Sequence, residues 1–280
     1  MDEQKVRYKA YIDRLCLMDD TFFNVCMDGY IAGMACILRI ILALPELIVE
    51  RVTVQETTET LYGRGVRFDA FVRAGKRRMN VEVQRDERGA QPERARFNSS
   101  MMDARELQKG EVVKELPETY VIFIMEKDVF GKGLPIYHVR RMIEETGEPF
   151  GDRTHIIYVN GEIQDETPLG RLMHDFFCQD AETMYYEELK QRAGFFKNEE
   201  RGRVQMCKIM DEIRQAGFEH GMERGMERGM ERGMKRGMER DRLESLRTIM
   251  QTMKLSEEEA MNALLIPLEK RAKYKALLAQ

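Results

Sequence analysis

Two acids, Asp69 and Glu82, lie in neighbouring alternating segments at a spacing that sets them face to face. The stretch VRFDAFVRAGKRRMNVEVQ, residues 66–84, alternates on either side of Gly75-Lys76. Glycine at the first of two loop positions is what a type II′ hairpin turn prefers. With that pair at the turn, Asp69 opposes Glu82 and Arg67 opposes Gln84. Opposed Cβ atoms on a hairpin are about 4.5–5.5 Å apart, and two like charges there repel. A divalent cation between them removes the repulsion, and carboxylate oxygens are the ligands that Mg²⁺ and Mn²⁺ favour. An ion held there could activate a water and stabilise charge on a phosphodiester. The other reading is a pair of solvent-facing acids offset by Arg67 and neighbouring arginines.

The hairpin sorts its residues by the period of two. Arg67, Asp69, Glu82 and Gln84 fall on one face; Phe68, Ala70, Val72, Met79, Val81 and Val83 fall on the other, which is apolar and expected to be the buried side. A slip of one residue would destroy the division, so the register is strongly specified.

The surrounding pattern indicates a mixed α/β domain. A helix is expected over 20–44, behind the cap signal Asp19-Asp20-Thr21 and ending before Pro45. Strands are expected over 49–57, 66–73 and 78–84. A helix over 92–109 opens near Pro92 and stops before Gly110. The apolar run 120–125 reads as a buried central strand, and 155–159 as one more before Asn160-Gly161. The order is helix, three strands, helix, strand, filling roughly residues 1–180. A helical connector over 181–220, a repeat arm over 221–240 and a helical tail over 241–280 follow.

The arm reads GMER GMER GMER GMKR GMER. A period of four outruns the 3.6 residues of a helical turn, so the methionine stripe drifts about 40° per copy. Each glycine costs about 1 kcal/mol against alanine inside a helix. The expectation is a marginal helix or semi-rigid spacer, with self-association through the methionines as one role and a tolerated, solvated repeat as the other. No strand precedes it and no GK[ST] ending follows, which excludes a phosphate-cradling loop. In the tail, Ser256-Glu257-Glu258-Glu259 has the form of a capping box, and Pro267 opens another helix.

Bulk composition restricts the function classes. The chain has 280 residues, 43% hydrophobic and 34% charged, with a net charge of −4. Between positions 64 and 105, eleven Lys/Arg face six Asp/Glu, a basic excess suited to phosphates. Five widely spaced cysteines without a CxxC pair fit reduced thiols in a cytoplasmic protein rather than a disulfide framework or zinc site. The apolar stretch 31–48 is interrupted by Arg39, Pro45 and Glu46, so no membrane span is expected. The four histidines lack metal-ligand spacing, and no nucleophile elbow is present.

These residues resemble the PD-(D/E)XK nuclease superfamily, and more closely the bacterial recombination-promoting nuclease/putative transposase family. The likeness rests on Gly65-Val66-Arg67-Phe68-Asp69 and Val81-Glu82-Val83-Gln84, and on Asp19-Asp20-Thr21-Phe22-Phe23 and Pro92-Glu93-Arg94-Ala95-Arg96-Phe97. Leu107-Gln108-Lys109-Gly110-Glu111, the strand from Tyr120 and Phe130-Gly131-Lys132-Gly133-Leu134-Pro135 extend it, over roughly residues 15–180.

The resemblance implies a restriction-endonuclease-like α/β core with a mixed central sheet, DNA as substrate, and Mg²⁺ (or Mn²⁺) as cofactor. It makes Asp69 and Glu82 metal ligands and puts Gln84 in the place of the superfamily's lysine. Gln84 can orient a water but brings no charge, so Arg94, with Arg67 behind it, is expected to supply the cation. Asp20 is the candidate for the additional acid that some members supply from the first helix. Two departures stand out: Asn98 replaces an aromatic residue that often follows Phe97, and Phe68 replaces the proline before the first Asp. Two functions follow: a metal-dependent DNA endonuclease in recombination or mobile-element movement, or a weakened nuclease fold that binds DNA or self-assembles, as a homo-oligomer through the arm.

Overall fold

The computed structural model describes residues 3–58, 65–107, 110 and 112–278. By contact density the chain divides into two compact units, residues 1–210 and 211–280.

In the first unit, helices α1 (Glu3–Ile12), α2 (Asp20–Met27) and α3 (Ile31–Leu42) precede an antiparallel meander of β1 (Arg51–Thr58), β2 (Val66–Ala74) and β3 (Arg77–Gln84). Helix α4 (Pro92–Glu106) then crosses to β4 (Glu118–Met125), which is parallel to β3. After β5 (Ile136–Val139) and a small ribbon of β6 (Met142–Ile143) and β7 (Glu148–Pro149), β8 (Thr154–Asn160) returns parallel to β4. The mixed sheet runs β1-β2-β3-β4-β8-β5. Helices α5 (Pro168–Phe177) and α6 (Glu187–Asn198) close the fold, and α7 (Glu200–Met253) leads into the second unit. This is the expected α/β, restriction-endonuclease-like order, with α1, α5, β5 and the β6–β7 ribbon added.

The sheet is covered on both faces. Ala70, Val72, Met79, Val81 and Val83 pack against α2, α3, α5 and α6 through residues such as Phe23, Ile37, Phe176 and Phe196. The opposite face is also closed, where Phe71, Val121 and Phe123 meet Ala95, Met101 and Met102 of α4. Strand β4 is therefore buried almost throughout, as its unbroken apolar run requires.

Three expectations need correction. The helix over 20–44 is two helices bent by 115°, because Gly29 takes a left-handed φ of 62°. Phe68 does not share a face with Ala70. It joins Val66 and Phe71 on the α4 side, its ring 5.6 Å from that of Phe71. The alternation kinks beside it: β1 pairs Val54 with Ala70 and Glu56 with Phe68, while the intervening Gln55 takes φ 54° and does not pair with Asp69. A non-glycine residue is strained there, and the strain lies directly across from the first acid.

The expected helix over 92–109 ends at Glu106; Gln108, Lys109 and Glu111 lie outside the described residues. All five cysteines are free thiols. Among the described residues no single helix is long and apolar enough to cross a membrane.

In the second unit, α7 continues without a break through the repeat, followed by α8 (Glu257–Ala263) and α9 (Leu268–Leu278). Ser256 and Glu259 form the complete capping box at the start of α8. Leu246, Ala260, Met261, Ile266 and Tyr274 make a small core.

Candidate active site

The hairpin has the register expected of a Gly75-Lys76 turn. Ala74 pairs with Arg77, Val72 with Met79 and Ala70 with Val81. Gly75 takes φ 56° and Lys76 is not among the positive-φ residues, as a type II′ turn requires. The β2–β3 ladder stops at Ala70, one residue short of Asp69. There the Asp69 side chain takes over: its Oδ2 accepts the backbone N–H of Val83 at 3.3 Å.

Glu82 is fully buried on the face covered by α4, and its carboxylate is held by four donors. Oε1 accepts Asn80 Nδ2 at 3.0 Å and Asn98 Nδ2 at 3.3 Å. Oε2 accepts an Arg94 guanidinium nitrogen at 2.6 Å and Gln84 Nε2 at 3.4 Å. A buried carboxylate without such partners would be costly. The two carboxamides also leave a residue of unused capacity: Oδ1 of Asn80 and Oδ1 of Asn98 are buried without a hydrogen-bond partner.

Asp69 is less well compensated. Burial, then the charges of Glu82 and Asp20, push its carboxyl up to about 8; the Val83 N–H and Arg94 oppose the shift without cancelling it. Asp20 stands in the first turn of α2, exposed, with Oδ1 accepting Asn24 Nδ2 at 2.6 Å. The start of α2 is braced against the sheet by Arg85, which contacts Asp19 at 3.0 Å and Glu126 at the end of β4 at 2.8 Å. Glu82 and Asp20 thus both bear electrostatically on Asp69.

Residues 43–166 match the family model described as PD-(D/E)XK nuclease family transposase. The matched segment contains Arg67, Asp69, Glu82, Gln84 and Arg94, and it begins after Asp20. No curated protein and no solved structure matches the chain. Over this segment the protein is PD-(D/E)XK nuclease-like, as the resemblance implied.

Within the matched segment, Asp69, Glu82, Gln84 and Arg94 come together. Gln84 lies against Gly89, where an added Cβ would fall 1.9 Å from Gln84 Oε1; only a glycine leaves that seat free. Arg67 is exposed, and among the described residues no hydrogen bond or ion pair joins it to either acid. Asn80 is a further residue of the site, and period two alone puts it on the face of Glu82. Asn98, a departure from the family pattern in the sequence, also joins the site. Its role depends on the docking of α4, which no local pattern encodes.

Whether these residues suit a metal can be judged from their donors. Among the described residues no group of three or more His, Cys, Asp and Glu is arranged to hold an ion. A hard cation such as Mg²⁺ does not need one, since it usually binds one or two carboxylates and completes its shell with water and substrate phosphate. The undercompensated Asp69 carboxyl beside Glu82 is the chemistry such an ion relieves, and the donor set fits it.

Proposed function

We propose that this chain hydrolyses phosphodiester bonds in DNA as an endonuclease, in recombination or mobile-element movement, with Mg²⁺ or Mn²⁺ held by Asp69 and Glu82. The observation that carries this reading is Asp69, pushed up to about 8 by burial and two facing acids inside a segment matching a nuclease family. When bound, the ion supplies Lewis acidity and a water activated near neutral pH.

The protein's own groups supply the rest. Asp69 and Glu82 hold and orient the ion. Gln84, seated on Gly89, orients the attacking water through its carboxamide. Arg94, 38% exposed while its partner Glu82 is fully buried, offsets phosphate charge. Asp20 adds negative charge from α2, and Arg67, exposed on β2 beyond the end of the β2–β3 ladder, meets the DNA backbone. The test is supercoiled plasmid incubated with the purified chain and Mg²⁺ or Mn²⁺. Nicking or linearisation that EDTA and Asp69→Ala both abolish supports the proposal; intact plasmid at high protein and metal concentrations overturns it.

A second reading is favoured by the saturation of Glu82, whose two oxygens already take four donors. Under it the fold binds DNA, with salt-dependent affinity, and self-assembles without efficient cleavage. Self-association through the arm is compatible with either reading. Met222, Met226, Met230, Met234 and Met238 are 55–72% exposed on α7, an apolar load that pairing would cover. Deleting 221–240 and measuring solution mass tests this; an unchanged oligomeric state refutes it.

A further inference from the structure

The two oxygens of Glu82 are held in unequal ways. Oε1 is fixed by two short, fully buried carboxamides, Asn80 from the same strand and Asn98 from α4. Neither can leave without opening the core. Oε2 is held by Arg94 at 2.6 Å, a long side chain whose own surface is 38% exposed, and more loosely by Gln84 at 3.4 Å. Any cation that reaches Glu82 must therefore do so at Oε2, where Arg94 already sits. Asp69 is arranged in the same sense. Its Oδ2 is tied to Val83 N–H, while Oδ1 takes no hydrogen bond among the described residues.

We propose that Arg94 is a resident counter-ion of Glu82 that competes with the incoming divalent ion and, once displaced, becomes the cation that meets the substrate phosphate. The inference rests on the nuclease reading and adds an exchange of partners to it. Without metal, the guanidinium neutralises a buried carboxylate and keeps the site closed to weakly bound cations. With metal, the ion also offsets the charge of Asp69, which Arg94 otherwise helps to balance. The released guanidinium is then free for phosphate oxygens, which match its planar donors. Asn80 and Asn98 hold Glu82 in place during the exchange, so that Oε2 stays presented while its partner changes.

The exchange makes a prediction that a purely structural or purely catalytic arginine does not: loss of Arg94 strengthens metal binding while weakening cleavage. Calorimetric titration of Mg²⁺ into the full chain at pH 8.5, without DNA, reads the first part directly. Arg94→Met is expected to bind Mg²⁺ more tightly, by roughly ten- to a hundredfold if the effect has the size usual for a ligand's neighbour; a neighbour that merely supported the ligand would change affinity in the opposite direction. Arg94→Lys, which keeps a charge but loses the planar fork, is expected to fall between the two. At saturating Mg²⁺ both variants cleave plasmid more slowly than the wild type. Should Arg94→Met fail to fold, as judged by its circular dichroism melt, the lysine variant alone decides the matter. Equal or weaker Mg²⁺ binding in a folded variant overturns the exchange and leaves the nuclease reading standing. A wild-type chain that binds no divalent ion and cuts no DNA overturns both.

Discussion

The carboxylate of Asp69 accepts the backbone N–H of Val83, so the first acid is fastened to the strand that carries the second, one residue beyond Glu82. This contact replaces the ladder pairing that ends at Ala70 and Val81. It holds the two acids in one frame whatever occupies the space between them.

The seat of Gln84 gives the most local prediction. Gly89 has no positive φ, so alanine is acceptable to its backbone, but the new Cβ would collide with Gln84 Oε1 at 1.9 Å. Gly89→Ala is expected to cut cleavage about as much as Gln84→Ala, roughly tenfold or more for a group placing a reactant. The double variant should be no worse than either single one, the mark of a shared cause. Additive losses in a plasmid-cleavage assay would show that Gly89 acts elsewhere.

Much of this arrangement was legible in the residues, for definable reasons. A glycine-led turn and strict alternation specify a hairpin register, and Ala70–Val81 and Val72–Met79 pair as that register demands. The same alternation misplaced Phe68, because the kink at Asp69 depends on Gln55 in the adjacent strand. The helix break at Gly29 was hidden in an otherwise periodic apolar run, where a single glycine is tolerated more often than it breaks a helix. The donors on Glu82 divide in the same way: Asn80 follows from period two, while Asn98 and Arg94 reach the carboxylate only because α4 docks over β3. Strands β5 to β7 carry no buried alternating face and so gave no periodic signal.

Asp69 makes stability depend on pH in a defined direction. Its carboxyl is raised from an ordinary 3.8 to about 8, so between those values the folded chain holds a proton that the unfolded chain has released. This contribution to stability is fully present below the unfolded value and is lost as pH rises through about 8. The metal-free protein should therefore lose thermal stability across this window, and Asp69→Asn should flatten the loss. At about pH 9 the variant is expected to melt a few degrees higher than the wild type. Added Mg²⁺ should recover stability in the wild type and not in the variant. Parallel melting curves for the two proteins would show that Asp69 is not a strained acid.

The arm can be tested without reference to the site. Gly221, Gly225, Gly229, Gly233 and Gly237 lie within α7, and a Cβ at each meets nothing within 4 Å. Replacing all five by alanine should stabilise the helix by about 0.4–1 kcal/mol per residue, read as higher helicity and a higher melting temperature by circular dichroism. A loss of helicity, or of an oligomer present in the wild type, would mean that the glycines admit a close neighbour in solution.

The most direct measurement is a crystal of the full chain soaked in Mn²⁺, with the ion located by its anomalous scattering. A peak in contact with carboxylate oxygens of both Asp69 and Glu82, with Arg94 drawn away from Oε2, is the expected result. An ion bound only elsewhere, with Arg94 still on Glu82, would contradict metal-dependent hydrolysis at this site.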